Sequence, residues 1–438
     1  MGRIKEFLIL DLALPLADLV LHTNMPKWYH RISRMLNWTP SQIEAWQGEK
    51  LRMLIEDAYR YSPYYHQLFD SLSLTPADIQ TVKDLEKIPT LTKEIIREHF
   101  DEIALRGKKG IHSYQSSSGG STGNPTKYIK DKNSWGFINA FSVLMWNQVG
   151  FHYGDRFLAL GSASLLPAQK RSVMHDLFYR MKGKTPVNAM NMTPEVAEKC
   201  LRLIREKHIH YIYGYASSLF LLAKYIEEKH LESSIDIHAC VPTSEVLTDV
   251  YRSTLERVFK CPVLDMYGAH DGGMIAYETN GGYKVGYNCI VQTEDSSETS
   301  PAYLTDLMSN AFPFIRYELG DELELGEGYN TFFNGQVLNR VVGRTSDVIR
   351  LENGHVLTGP GFTVLFGELP IKGYRLFKSG PLQITVEVVK DEGFCERDEE
   401  LIRGTMHKHA GDDCEIIINY PEKVQTRKNG KNLFFLNN

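Results

Sequence analysis

The 438-residue chain is defined first by what it lacks. Its six cysteines, at positions 200, 240, 261, 289, 395 and 414, include no C-x-x-C pair and no zinc-ribbon spacing, and are too few for a disulfide framework. A reducing compartment and a cytoplasmic location are the expectation. There is no excess of either charge sign, with 49 Lys plus Arg against 54 Asp plus Glu and a formal net charge of −5. No field-scale attraction to nucleic acid or to an anionic membrane follows, and any anion is held locally. Uninterrupted apolar runs of the ~18 residues needed to span a bilayer are also missing. Residues 7–21 (FLILDLALPLADLVL) come nearest, but Asp11, Pro15 and Asp18 interrupt them, and they read as a buried N-terminal segment. Gly2 lacks the myristoylation context, because position 6 is Glu6 where that signal wants Ser or Thr. Solenoid repeats and low-complexity tracts are absent.

What is present is an ordinary globular composition, 42% hydrophobic and 24% charged with 34 Gly and 18 Pro, on a chain long enough for roughly two to four domains. The first 110 residues read as a helical entry region: 43–61 carries apolar residues at helical spacing, Ser62-Pro63 breaks it, and 74–100 supplies short amphipathic pieces. From Gly110 short apolar runs alternate with helical patterns. RFLALGSASLL, HIHYIYGY, DIHACVP and CPVLDMYG read as strands, and 194–207, 218–229 and 249–259 as helices, which implies parallel sheets with helices on both faces. After Gly281 strand-like runs with Gly and Asn turns predict an antiparallel or barrel-like portion. Beyond Gly343 a short strand, a hairpin in 374–389, a helix near 395–410 and the strand CEIIINY form a compact α+β unit. The expected division is 1–342 and 343–438.

The most distinctive segment is Ser116 to Lys127, SSSGGSTGNPTK. Glycines let backbone N–H groups approach phosphate oxygens, hydroxyls add donors and the lysine adds charge, so the loop can cradle an anion. It is not a Walker loop, since Gly123 is followed by Asn124-Pro125-Thr126 rather than by lysine. A Ser/Gly surface turn is the bland alternative for the loop taken alone.

Ser118 to Pro125 resembles the phosphate loop of the adenylate-forming superfamily of acyl-CoA synthetases, adenylation domains and luciferases, [ST]-[SG]-G-[ST]-T-G-x-P. Further landmarks follow in order. Thr243-Ser244-Glu245 resembles the adenine-contacting turn, Tyr267 to Asp271 (YGAHD) resembles Y-G-x-x-E, and Leu319-Gly320-Asp321 resembles T-G-D. Gly343 to Asp347 (GRTSD) matches the hinge G-R-x-x-D, and Thr426 to Lys431 (TRKNGK) resembles the C-terminal T-x-x-G-K. The N-terminal text AYRYSPYYHQLFDSLSLTPADIQTVKDLEKIPTLTKEIIRE looks like the phenylacetate-CoA ligase branch, including members from capsular polysaccharide gene clusters. The fold this implies is α/β, with a large N-terminal domain of two doubly wound sheets plus a distorted β-barrel, and a small mobile α+β C-terminal domain hinged near 343–347.

The resemblance implies AMP-forming activation of a carboxylic acid: ATP and Mg2+ give an acyl-adenylate and pyrophosphate, and the acyl group then passes by default to CoA. Ser118, Gly119, Gly120, Ser121, Thr122, Gly123 and Lys127 would hold the β and γ phosphates, and Asp271 the Mg2+. Ser244, Glu245, Tyr267 and Gly268 would meet adenine, Asp321 the ribose with Arg344 nearby, and Lys431 the α-phosphate and attacking carboxylate. Tyr215, Ser217, Ala269 and His270 would line the acyl pocket, with 137–146, 161–166 and 269–274 around it. Arg316 reads equally as a structural ion pair or a ligand contact. His208, His210 and His238 lack ligand spacing and read as surface or core histidines.

Departures from the pattern leave alternatives. Asp271 stands where Glu is usual, shortening the carboxylate arm. The hinge has Ser346 then Asp347 where two acids are common. Three residues separate Thr426 from Gly430 where two are usual, so Lys428 is a second candidate for the catalytic lysine. Some relatives carry Cys and His after Y-G-x-x-E; here that stretch holds Cys289 and no His, so no zinc is expected. A second version of the function transfers the acyl or aminoacyl group to an amine or hydroxyl, such as a sugar in envelope or capsular polysaccharide biosynthesis. A third is a catalytically lapsed nucleotide-binding protein. A γ-phosphoryl kinase is disfavoured by the failed Walker spacing.

Overall fold

The computed structural model describes residues 2–117, 126–161, 181–189, 192–269, 273–279, 282–294, 299–326, 336–344, 348–353, 355–358, 366 and 369–424. They fall into two compact units. The first is Met1–Ser118, Thr126–Leu319 and Glu324–Arg340; the second is built mainly from Val341 onward, with Gly320–Leu323.

The helices form where caps and apolar spacing coincide. Thr39 opens the helix Pro40–Tyr61 with a reciprocal capping box to Gln42, and Ser62 both ends it and caps the next helix, Pro63–Ser71, by accepting from Tyr65 N. Thr193 and Thr248 cap the helices Pro194–Glu206 and Asp249–Phe259 in the same way. Between them lies the helix Ala216–Glu228.

An eleven-stranded sheet runs through the chain. Its parallel half has the spatial order Lys184–Asn188, Phe157–Gly161, Tyr211–Tyr215, Ala239–Thr243 and Met266–Ala269. It continues through Gly273–Thr279, Gly282–Val285, Val337–Arg344, Tyr317–Leu325, Ser300–Asp306 and Cys289–Thr293. The parallel portion and the strand-rich portion after Gly281 are thus joined in one sheet, because Met266–Ala269 turns back on Gly273–Thr279 as an antiparallel pair. One face packs Leu158, Leu160, Ile212 and Cys240 against the three helices just named. The other packs Phe157, Ala159, Val241 and Met266 against the helix Lys132–Trp146 and the N-terminal helices.

Alternation along each strand sends successive side chains to opposite faces, which is why these strands read as continuous apolar runs. Strand-to-strand approach is tightest at Gly214: a Cβ there would lie 1.9 Å from the Leu160 carbonyl oxygen.

In the second unit, Ile371–Gly380 and Gln383–Lys390 form a hairpin, and Glu415–Asn419 pairs parallel to the latter after the crossover helix Glu396–Ala410. Ile384, Val386, Ile402 and Met406 fill its core.

The N-terminal segment departs from expectation. Residues 2–21 are helical, with a π-helical stretch Leu8–Ala13 between two α-helical ones. Only Ile9, Leu10 and Leu14 are buried, whereas Ile4, Phe7, Leu8, Leu12, Leu16, Leu19 and Val20 are 49–72% exposed. The segment has apolar residues on two faces, and this fold covers one. Among the described residues no helix is long and apolar enough to cross a membrane.

Asp306, at the end of Ser300–Asp306, is buried. Burial pushes its carboxyl up to about 7, with the nearby Asp131 adding to the rise, while the Met308 N–H donated to Oδ1 at 2.9 Å opposes it.

Two outcomes are expected. Gly214→Ala forces a methyl group into the Leu160 carbonyl and costs about 2–3 kcal/mol or more in urea unfolding. For Asp306 the folded pKa lies above the unfolded one, so the folded state binds the extra proton between the two values. Stability therefore falls as pH rises from about 4 to about 7, with a slope of at most about 1.4 kcal/mol per pH unit from this group. Asp306→Asn keeps an acceptor for Met308 N–H and removes that slope; parallel stability curves for the two proteins would show that Asp306 does not titrate in this window.

Candidate active site

The strands Ser113–Ser117 and Lys127–Asp131 pair antiparallel, with Ser117 opposite Lys127, so the Ser/Gly-rich loop closes a two-stranded hairpin. Ser118, Gly119, Gly120, Ser121, Thr122 and Gly123 lie outside the described residues. Lys127 is exposed at the mouth of the loop. A two-stranded hairpin is marginal on its own and needs anchoring. Three contacts supply it. Arg97 donates to Thr126 Oγ1 at 3.2 Å, the fully buried Tyr128 ring packs edge-on to Phe314, and Asp131 accepts from Asn310 N at 2.9 Å while capping the next helix through Ser134 N at 2.5 Å.

Asp131 and Arg97 escaped the sequence reading. The D-x-x-S pattern of Asp131 to Ser134 ahead of an apolar helix is the signal that announces the cap; the contact with Asn310 spans 179 positions and has none.

A second group lies at the carboxyl ends of the parallel strands, where ligands bind in open α/β sheets. Tyr215 pairs with Thr243 and Thr243 with Met266, bringing the last residues of two strands into one row with the first residue of Met266–Ala269. Just past this edge Ser244 takes a left-handed conformation, φ 66°, an uncommon state for a non-glycine residue that marks a strained turn. That turn brings Glu245 back toward the helix Ala216–Glu228, where its carboxylate accepts from Ser217 N at 2.8 Å. Thr243 Oγ1 donates to the Met266 carbonyl at 3.0 Å.

Tyr267 lies beside this edge, 9% exposed, where the pairing of Met266–Ala269 with Gly273–Thr279 slips. Ala269 is buried, and a Cβ on Gly268 would lie 2.7 Å from the Gly273 carbonyl oxygen. Asp271 and His270 lie outside the described residues. Ser217 is half-buried; the neighbouring Ser218 is buried and donates to the Ala189 carbonyl at 2.8 Å.

The helix Lys132–Trp146 reaches the same end of the sheet, since a Cβ on Gly273 would come within 2.5 Å of Ile138 Cδ1. On this helix Asn139 Oδ1 accepts from Lys182 Nζ at 2.8 Å, and that ammonium also lies 4.6 Å from the centre of the Trp135 ring. Burial, with Lys184 second, lowers the Lys182 pKa to about 7. Nothing in the sequence around Lys182 marked it.

Asp321 is buried within Tyr317–Leu325, and Arg344 is the last residue of Val337–Arg344. Ser346, Asp347, Lys428 and Lys431 are outside the described residues. Among the described residues Arg316 makes no ion pair. Its guanidinium donates to the Ile88 and Glu86 carbonyls at 2.6 and 3.3 Å and stacks over Tyr303, tying the entry region to the sheet.

At the opposite, amino end of the parallel strands, Asp236 Oδ2 lies 3.3 Å from His210 Nδ1 and 3.2 Å from His238 Nε2, so the three side chains could share a metal ion. Strand pairing assembles them, and spacing in the chain gives no hint of it. Cys240 and Cys261 are free and buried.

No family model matches the chain. It is 20% identical over 395 residues to Protein CapK of Staphylococcus aureus, covering 87% of both chains. It is 26% identical over 357 residues to the phenylacetate-coenzyme A ligase of Escherichia coli K12, covering 72% of this chain and 74% of that one. In fold it is similar to the crystal structure of 2-hydroxyisobutyryl-CoA ligase in the postadenylation state in complex with R3-HIB-AMP, with a TM-score of 0.68 at 14% identity over 93% of this chain and 92% of the other. These likenesses extend over most of the chain and agree with the order of its motifs: it belongs to the adenylate-forming superfamily, in the phenylacetate-CoA ligase-like branch.

Proposed function

We propose that the protein activates a carboxylic acid with ATP, releasing pyrophosphate and forming an acyl-adenylate, and then transfers the acyl group to CoA. The observation that carries this reading is the row Tyr215, Thr243-Ser244-Glu245 and Tyr267 at the carboxyl edge of the parallel strands. Glu245 already accepts the Ser217 N–H in the first turn of the helix Ala216–Glu228, and its negative charge disfavours a phosphate at that helix end. This edge suits a neutral, planar group such as adenine. The phosphates then belong to the Ser/Gly-rich loop with Lys127, and the two groups divide the nucleotide between them.

Both reactants are anions, so the reaction needs charge screening and in-line placement. Lys127 and the loop amides would bind the β and γ phosphates, and Asp271 would hold Mg2+, the ion that screens charge between them. Asp321 would accept the ribose hydroxyls. Lys431 would stabilise charge developing between the α-phosphate and the carboxylate, with Ser346 and Asp347 the pivot that brings the second unit into place. Tyr215, Ser217, Ala269 and His270 would line the acid pocket. Asn139 on the helix Lys132–Trp146 and Lys182 in the turn before Lys184–Asn188 form a polar pair in the layer that covers this face, and an acid bearing a hydroxyl or a second carboxylate is the first to test. The similarity to CapK supports a second acceptor class, an amine or sugar hydroxyl in polysaccharide assembly.

The deciding experiment measures pyrophosphate and AMP across aryl, hydroxy, amino, fatty and sugar acids, with hydroxylamine trapping the adenylate whatever the true acceptor. Release with at least one oxygenated acid, and AMP rather than ADP as product, is expected. ATP binding without release for any acid would overturn the reading in favour of a lapsed nucleotide-binding protein. Lys431→Ala should lower adenylate formation by about 10²-fold or more with ATP affinity nearly unchanged; a full-rate variant moves the role to Lys428. Omitting CoA and supplying amino sugars instead separates the two acceptor classes.

A further inference from the structure

At the amino end of the parallel strands, strand register gathers three ligand-bearing side chains. Tyr211–Tyr215 and Ala239–Thr243 pair in parallel with Tyr211 opposite Ala239. One position earlier His238 N donates to the His210 carbonyl at 2.7 Å, which sets the two histidines side by side. Residues two apart along an extended chain point to the same side, so Asp236 falls on the side of His238. Ile209 and Ile237, the residues just before the two histidines, are buried, while His210, Asp236 and His238 reach solvent. The two imidazoles stack with ring centres 4.5 Å apart, and the Tyr211 ring stands edge-on to His238.

Asp236 Oδ2 lies 3.3 Å from His210 Nδ1 and 3.2 Å from His238 Nε2, and the three ligand atoms lie within 4.8 Å of one another. A charge-assisted hydrogen bond from nitrogen to carboxylate runs at roughly 2.7–2.9 Å. Both separations exceed that. They match the spacing of neighbouring ligand atoms around a tetrahedral ion with bonds of about 2.0–2.1 Å, roughly 3.3 Å. The Asp236 carbonyl, 2.9 Å from His210 Nδ1, competes for that nitrogen, and an ion binding there displaces the proton between them.

The donor types select the ion. Two imidazoles and one carboxylate suit a first-row transition ion such as Zn2+, whereas Mg2+ prefers oxygen alone. The side chains of His210, Asp236 and His238 are 38, 73 and 49% exposed, so an ion has an open approach and water can fill a fourth position.

We infer that His210, Asp236 and His238 bind one divalent transition-metal ion of the Zn2+ class, which staples the entry of Tyr211–Tyr215 to that of Ala239–Thr243. The expected absence of zinc concerned the stretch around Cys289, and this set lies elsewhere. It sits at the end of the sheet opposite Tyr215, Thr243 and Glu245, and the inference stands apart from the proposed reaction.

The test is a titration of the untagged, chelator-treated full chain with Zn2+ and, in parallel, with Co2+. One equivalent bound with micromolar or tighter affinity is expected, with a tetrahedral Co2+ d–d spectrum free of thiolate charge-transfer bands. His210→Ala and His238→Ala should each weaken binding at least roughly a hundredfold, and Asp236→Asn at least roughly tenfold. His66→Ala, from the exposed pair of His66 with Asp70 on the helix Pro63–Ser71, should leave it unchanged. Zn2+ should also raise the thermal midpoint of the wild type and not that of His238→Ala, whose metal-free midpoint shows that the variant is folded. No binding up to about 100 µM Zn2+, or binding indifferent to His210 and His238, overturns the inference. A thiolate-type Co2+ spectrum assigns the ion to a cysteine such as the exposed Cys395 and overturns it as well.

Discussion

Much of the first unit depends on a buried carboxylate. Asp131 ends the hairpin that carries the Ser/Gly-rich loop, begins the helix Lys132–Trp146 and receives the Asn310 N–H from the segment after Ser300–Asp306. Removing a carboxylate from water is costly unless its lone pairs are satisfied, and here two backbone donors and the Asn310 amide do so. Burial still raises the Asp131 pKa, and the group in turn raises that of Asp306. The cost secures geometry, because one oxygen meets the helix and the other the sheet segment. The hairpin could not otherwise hold a fixed direction, since most of Ser113–Ser117 is exposed.

The hairpin base is thereby fixed to both the helix and the sheet segment. The same economy operates at the carboxyl edge of the sheet. There Ser244 accepts a strained backbone so that Glu245 can reach Ser217 N, setting a negative charge at a helix end that would otherwise attract anions. A nucleotide needs both, a charged cradle at one end and a neutral platform at the other.

What could be read from the sequence depended on how local the cause was. The helix Asp249–Phe259 was legible to the residue because its cap, apolar spacing and terminus are adjacent in the chain. Of the motifs ordered by resemblance from Ser118 to Lys431, the described residues Thr243, Ser244 and Tyr267 meet at one sheet edge. Continuity of the eleven strands was not legible, since it hangs on the pairing of Met266–Ala269 with Gly273–Thr279. Neither were Asp131 with Asn310, Lys182 with Asn139, or Asp236 between His210 and His238, all of which arise only when distant segments meet. The N-terminal helix misled for a different reason. Its composition suggests cover on two faces, and this fold supplies one.

The N-terminal helix and the site are held by the same layer. The turn that follows the N-terminal helix passes so close to the helix Lys132–Trp146 that a Cβ on Gly136 would lie 1.9 Å from the Thr23 carbonyl oxygen. The Trp28 indole N–H, one turn further on, donates to Asn133 Oδ1 at 2.9 Å. Contacts this close leave no room for the two helical layers to slide. Interiors packed to this density deform in discrete steps, so the helix that carries Ile138 and Asn139 is a stiff wall beside the carboxyl edge.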